Sequence, residues 1–126
     1  MPEPKPEPVI KKVSEADFNS IYFDFDKYNL VNSAQNTLNA NAQVLRENPS
    51  LIIRIEGNCD ERGTVEYNLS LGEKRATAAR KYLMDLGIAD SRLQTISYGK
   101  EKPIALGHDE TSWAKNRRDD FIIISQ

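Results

Sequence analysis

The residues best placed to do chemistry in this 126-residue chain are a carboxylate and a guanidinium fifteen positions apart, Asp60 and Arg75. Asp60 lies in Gly57-Asn-Cys-Asp-Glu-Arg-Gly63, a charged loop that follows an apolar stretch and leads into a helix. At about 100° per residue, Tyr67, Leu71, Ala78, Ala79, Tyr82 and Leu86 share one face of that helix, and Arg75 projects from its middle. A guanidinium there must snorkel to the rim or meet an anion, because an unpaired buried charge costs several kcal/mol. A loop carboxylate and a semi-buried guanidinium on one edge suit a zwitterion, with its ammonium against Asp60 and its carboxylate against Arg75. The alternative is that Asp60 and Arg75 pair with each other. An exposed pair contributes only about 0–1 kcal/mol, which is weak justification for a charge on an apolar face.

Other residues offer less. Asp24-Phe25-Asp26 resembles the aspartate pair of haloacid-dehalogenase-type phosphatases, so a small Asp-based phosphohydrolase is an alternative reading. Lys27-Tyr28-Asn29 follows where a small or hydroxyl residue is expected, and no later acidic metal-binding pair is evident. The bland reading of Asp24 is a solvated carboxylate, and that of Asp26 a turn-stabilising one. His108 is the single imidazole, and no Gly-x-Ser-x-Gly marks a serine nucleophile. His108, Asp109 and Glu110 are consecutive and lack helical metal-ligand spacing. Cys59 precedes Asp60, and a carboxylate neighbour raises a thiol pKa rather than activating it. Arg117-Arg118 is either a solvated cluster or a clamp for an anion, for which the planar fork of arginine is suited. The residues thus point to recognition, with no enzyme, metal or cofactor expected.

These groups need elements to hold them. Charged residues make up 29% of the chain and apolar ones 39%, as in a folded domain, and one domain is expected at this length. A net charge of −2 argues against a nucleic-acid partner. Residues 1–17 open with a proline at every second position and predict an extended tether, with the domain over 18–126. Ile21-Tyr22-Phe23-Asp24-Phe25-Asp26 predicts a strand with Ile21, Phe23 and Phe25 packing beneath and Tyr22, Asp24 and Asp26 opposite. Asn32 or Ser33 can cap a helix with Ala34, Leu38, Ala42 and Leu45 inside, stopped by Asn48-Pro49. Strands are expected at 51–56, 93–98 and 121–124, the Arg75 helix ending at Gly87, and a short helix over 112–117. The alternation implies an α/β chain, an α+β sandwich with a mixed four-stranded sheet and helices on one face, in the order β-α-β-α-β-(α)-β. Parallel neighbours would bring Asp26, the 58–64 loop and the start of the Arg75 helix to one edge, joined by Asn116, Arg117 and Arg118 if the last strand runs antiparallel.

Tyr22-Phe-Asp-Phe-Asp-Lys-Tyr28, Gly57-Asn-Cys-Asp-Glu-Arg-Gly-Thr64, Tyr67-Asn-Leu-Ser-Leu-Gly-Glu-Lys-Arg-Ala76, Ser97-Tyr-Gly-Lys-Glu-Lys-Pro103 and Lys115-Asn-Arg-Arg118 together resemble an OmpA-like peptidoglycan-binding domain over residues 21–124. The likeness is nearest to the lipid-anchored branch of that family. It implies non-covalent binding of the peptidoglycan stem through diaminopimelate, with Asp60 and Arg75 as principal contacts and Phe25, Asp26, Arg62, Leu71, Asn116 and Arg117 around them. It also implies partnership with TolB and the periplasmic Tol system, and an outer-membrane anchor facing the periplasm. The lipidated cysteine of that branch is missing, so a soluble fragment with Met1 supplied for expression is expected. A flagellar stator or porin-tail module is the alternative within the same fold. Gly72 stands where the family often has serine, Cys59 where threonine is usual, and Asp119-Asp120 where apolar residues are common.

Overall fold

The computed structural model describes residues 13–126; most of the tether expected over 1–17 lies outside the described residues. The elements are β1 (Ile21–Tyr22), α1 (Asn32–Glu47), β2 (Ile52–Asn58), α2 (Val65–Asp85), β3 (Leu93–Gly99), α3 (Glu110–Asn116) and β4 (Arg118–Ser125), with short 3-10 turns at Glu15–Asp17 and Asp90–Arg92. The sheet order is β1-β4-β2-β3. Strand β2 is parallel to β3, while β4 runs antiparallel to both β2 and β1. The first three strands therefore point the same way, as the alternation implies. They are not all neighbours, because β4 returns between β1 and β2 and places its start beside the end of β1.

The apolar pattern explains the layers. Leu38, Ala42 and Leu45 of α1 and Ala76, Ala79 and Leu83 of α2 meet Ile53, Ile55, Leu93 and Phe121 of the sheet, all buried in one core. Full burial of each large aliphatic side chain is worth about 1.5–3 kcal/mol. The inner stripe of α1 matches its spacing. Its N-cap is Val31, however, without a side-chain cap bond, so neither Asn32 nor Ser33 plays the expected capping part. Buried Asn41 instead ties the loop ahead of β1 to α1, accepting from Asn19 N at 3.1 Å and donating to Asn19 O at 2.9 Å.

Two further expectations need correction. Strand β1 is only two residues long: Phe23 N still donates to Arg117 O, but the chain then turns, and Asp26 has a φ of 59°. Alternation therefore stops before Phe25, which is 53% exposed instead of packed beneath. On α2 the buried face runs through Asn68, Leu71, Gly72, Arg75, Ala76, Ala79 and Leu83, while Tyr67 lies outside it. Small residues mark the centre of the inward face because the helix comes very close to the sheet, while Tyr82 and Leu86 pack against the core from its edge. A Cβ on Gly57 would lie 1.9 Å from Gly72 O, and one on Gly72 would lie 2.3 Å from Ser97 Oγ. That contact fixes the depth at which Arg75, one turn further on, enters the core. Residues 13–17 lie against the domain: Val13 packs against the core, and Glu15 Oε1 accepts from Ile123 N at 3.2 Å.

Candidate functional site

At the edge where β1 and β2 end, residues 25–26, the loop after β2 and the first turns of α2 line a cavity of about 210 Å³. Thr64 starts α2 there, its Oγ1 accepting from Tyr67 N at 3.0 Å. Asn68 fixes the loop by donating to Arg62 O at 2.8 Å and Thr64 O at 3.0 Å. Six of the eight residues expected at the site line this cavity: Phe25, Asp26, Asp60, Arg62, Leu71 and Arg75.

Arg75 is 1% exposed. Its Nε donates to Lys27 O at 2.8 Å, Nη1 to Asn58 O at 3.0 Å and Nη2 to Asp24 O at 3.1 Å. Among the described residues it makes no salt bridge. Burial lowers its pKa, but a guanidinium keeps its proton in proteins. A guanidinium has five N–H donors, and three of them go to these carbonyls, with the Cys59 thiol also interacting with the same group. The buried cation is thus held by carbonyl dipoles while its charge stays unneutralised at contact range.

Asp60 does not pair with it. The Asp60 carboxylate accepts from Arg62 N at 3.0 Å and Arg62 Nη2 at 2.8 Å, and Arg117 Nη1 stands 3.5 Å from Oδ2. Burial works against its ionisation, but the hydrogen bonds from Arg62 and the charges of Arg62 and Arg117 outweigh it, so its pKa falls below the usual carboxylate value. Arg62 is itself held between aromatic faces, 3.8 Å from the Phe25 centroid and 4.1 Å from that of Trp113. This contact accounts for the outward position of Phe25. Trp113 Nε1 donates to Glu61 Oε1 at 2.9 Å, and His108 Nδ1 lies 2.6 Å from the same oxygen. The imidazole is therefore engaged in the exposed loop network.

The other carboxylates divide. Asp26, in its left-handed conformation, accepts from the Tyr67 hydroxyl at the cavity rim. Asp24 lines a different cavity, so the Asp24–Asp26 pair does not converge as a phosphohydrolase would need. Asn116 lies outside the lining: its side chain clamps the preceding loop, accepting from Ile104 N at 2.8 Å and donating to Ala105 O at 2.9 Å. Arg117 reaches the site only through Asp60, with its Nε donating to Phe23 O at 2.8 Å. Arg118 is turned to Asp120 at 3.0 Å and Lys102 O at 3.2 Å. The tandem arginines are thus neither solvated nor a joint clamp.

Cys59, Gly63, Tyr67 and Asn68 complete the lining and were not among the expected site residues. The signal for Asn68 is its helical spacing from Leu71 and Arg75. Cys59 Sγ donates to Asn68 O at 3.3 Å, and burial pushes the thiol up to about 11 against the opposing charge of Arg75, with Asp60 assisting. Among the described residues no group of three or more His, Cys, Asp or Glu could hold a metal ion, and no helix is long and apolar enough to cross a membrane.

Comparison with known proteins agrees with this layout. The model of the OmpA family matches residues 22–117. The "Peptidoglycan-associated lipoprotein" (Pal) of Pasteurella multocida is 48% identical over 101 residues, covering 80% of this chain and 67% of the relative. That of Mesorhizobium japonicum is 51% identical over 98 residues, covering 78% and 58%. The chain thus spans about two thirds or less of these relatives' length. The crystal structure of the peptidoglycan-associated lipoprotein from Burkholderia pseudomallei superposes with a TM-score of 0.82 at 52% identity, over 87% of this chain and 93% of that one. The C-terminal domain of Helicobacter pylori MotB reaches 0.80 at 20% identity, over 86% of each chain, and shares the fold. With the family model spanning most of the chain and the sheet carrying its signature motifs to one edge, the chain belongs to the OmpA family.

Proposed function

We propose that this chain binds peptidoglycan non-covalently, gripping the diaminopimelate of a stem peptide in the Asp60–Arg75 cavity. One observation carries the reading: Arg75 is buried at a cavity wall and, among the described residues, its charge meets backbone carbonyls and no carboxylate at salt-bridge range. Unpaired, such a charge costs several kcal/mol; a guest carboxylate would offset that. Asp60, ionised well below neutral pH, and Asp26 at the rim offer acceptors to a guest ammonium. Leu71 gives the methylenes between the two ends an apolar contact. A side-chain end carrying both an ammonium and a carboxylate is what distinguishes diaminopimelate.

The names of the relatives support peptidoglycan as the polymer, and their 48–51% identity favours the lipid-anchored branch over the stator likeness at 20%. In a longer protein the domain would be tethered to the outer membrane on its periplasmic side and would link it to the wall, with TolB of the Tol system as a partner. Tethering beside a polymer of repeated stems raises effective concentration, so modest affinity for one stem suffices. The role is binding rather than catalysis, since Asp24 and Asp26 diverge and His108 is engaged by Glu61.

Sedimentation with purified sacculi tests this. Asp60→Ala and Arg75→Ala should leave the protein in the supernatant, whereas pull-down equal to that of the native chain would refute the site.

A further inference from the structure

Asp119 is fully buried on β4, beside the site but outside its lining. The alternation of a strand puts it on the same face as buried Phe121, toward the helices. Its register partners are Ile21 of β1 and Gly57 of β2, neither of them ionisable. Gly57 precedes Asn58, whose carbonyl accepts from Arg75 Nη1 at 3.0 Å. Neither carboxyl oxygen of Asp119 has a hydrogen-bond partner, and Asn58 Oδ1 is a third buried acceptor without one. The ionisable groups that act on Asp119 or feel it are Arg75 from α2, Cys59 from the loop after β2 and Asp120 on its own strand. With Arg75 the influence is mutual: the guanidinium favours the ionised carboxyl, and the carboxylate favours the charged guanidinium. No salt bridge joins the two. A buried carboxylate without donors is costly, so the proton is retained to higher pH than usual.

We propose that Asp119 is a positioning residue that sets, through Arg75, how tightly the cavity holds a carboxylate. The inference rests on the function proposed above. With Asp119 protonated, the full guanidinium charge is left to the guest. An ionised Asp119 is a second anion drawing on the same cation, and it repels a carboxylate seated there. The converse follows by linkage: a guest carboxylate on Arg75 makes Asp119 harder to ionise, so binding and proton uptake go together. Affinity is therefore full below the native pKa of Asp119 and falls as pH rises through it. Other groups of the lining keep their state over that range. Asp60 is held ionised by Arg62 and Arg117, the Cys59 thiol titrates only at about 11, and Tyr67, raised by its bond to Asp26, keeps its proton. His108 lies outside the lining, in the exposed loop network with Glu61, and needs a separate control.

Calorimetric titration with a diaminopimelate tripeptide between pH 5 and 8, in buffers of low and high ionisation enthalpy, tests this. The affinity of the native chain should fall about tenfold across that range, with a proton taken up on binding at the upper end. Asp119→Asn, an isostere of the protonated acid, should bind at pH 8 about as the native chain does at pH 5 and take up no proton. His108→Gln should keep the native slope. A native affinity that is flat with pH, a slope that survives Asp119→Asn, or one that disappears in His108→Gln overturns the inference and leaves the cavity standing. The proton count on the native chain decides even if Asp119→Asn fails to fold: no uptake anywhere in the range overturns the inference. Absence of binding at every pH overturns the proposed function itself, and this inference with it.

Discussion

Replacing Arg75 with lysine separates charge from donor count, and the three carbonyls around the guanidinium set the expected outcome. Lys27 O, Asn58 O and Asp24 O lie 2.8–3.1 Å from the Arg75 nitrogens. An ammonium has three N–H donors where a guanidinium has five. In Arg75→Lys the positive charge stays, and all three donors are needed to satisfy those acceptors. None remains for a guest carboxylate. The loss is one to two charge-assisted hydrogen bonds at about 1.5–3 kcal/mol each. Even one corresponds to a fall in affinity of about tenfold to a hundredfold. Calorimetry with a diaminopimelate tripeptide reads the affinity, and thermal unfolding verifies that the variant is folded. Arg75→Ala should be worse on both counts, because three carbonyls then lose their donor. A folded Arg75→Lys protein that binds as the native chain does would show that the charge alone is sufficient and that the extra donors of the guanidinium do nothing.

Other expectations concern buried groups. Asp119 is 0% exposed, and neither of its oxygens has a hydrogen-bond partner; burial raises its pKa well above 3.8, with Arg75 opposing and Asp120 assisting. The native state then holds this proton after the unfolded chain has released it, so stability should fall as pH rises from the unfolded value through the native one. Asp119→Asn should remove that slope in denaturant titrations between pH 4 and 8 and raise stability at the upper end; an unchanged slope would place the linkage elsewhere. The Cys59 thiol, at about 11, should resist alkylation of the native protein at pH 8 and react once denaturant is added; rapid native labelling would contradict its burial. Gly57→Ala should destabilise by about 1–3 kcal/mol or more, as expected of overpacking, and more than Gly72→Ala. The first meets a backbone carbonyl at 1.9 Å, whereas the second meets a hydroxyl able to rotate at 2.3 Å and the Gly57 carbonyl only at 2.9 Å. Equal midpoints for the two variants would argue against the close helix–sheet approach.

Periodicity was sufficient for α1, where Leu38, Ala42 and Leu45 repeat on one face and are all fully buried. It misled on α2 at Tyr67, which looks like a core residue by composition but is exposed, whereas Tyr82 does pack against the core from its edge. Both are amphipathic, and their hydroxyls reach outward to Asp26 and Asn39. The inward face uses Gly72, Ala76 and Ala79, because what matters there is how near two backbones can come. A charge on an apolar face was the clearest signal in the sequence, and Arg75 is indeed the largest fully buried side chain. Its partners were not legible: backbone carbonyls of residues 24, 27 and 58 carry no mark in sequence. Nor was the diversion of Arg118 to Asp120 or the stacking that draws Phe25 outward, since both depend on where the turn after β1 places the chain. The insertion of β4 between β1 and β2 is a non-local pairing, and local alternation is silent about it.

The most direct measurement is a nuclear magnetic resonance titration of the isotope-labelled chain with meso-diaminopimelate. The largest shifts should fall on residues 25–26, 59–63 and 67–75, with the Arg75 side-chain Nε–H among them, and should vanish in Asp60→Asn. Shifts confined to other surfaces, or none at concentrations where the native chain sediments with sacculi, would contradict the claim that this buried guanidinium and its neighbouring carboxylate hold the ligand.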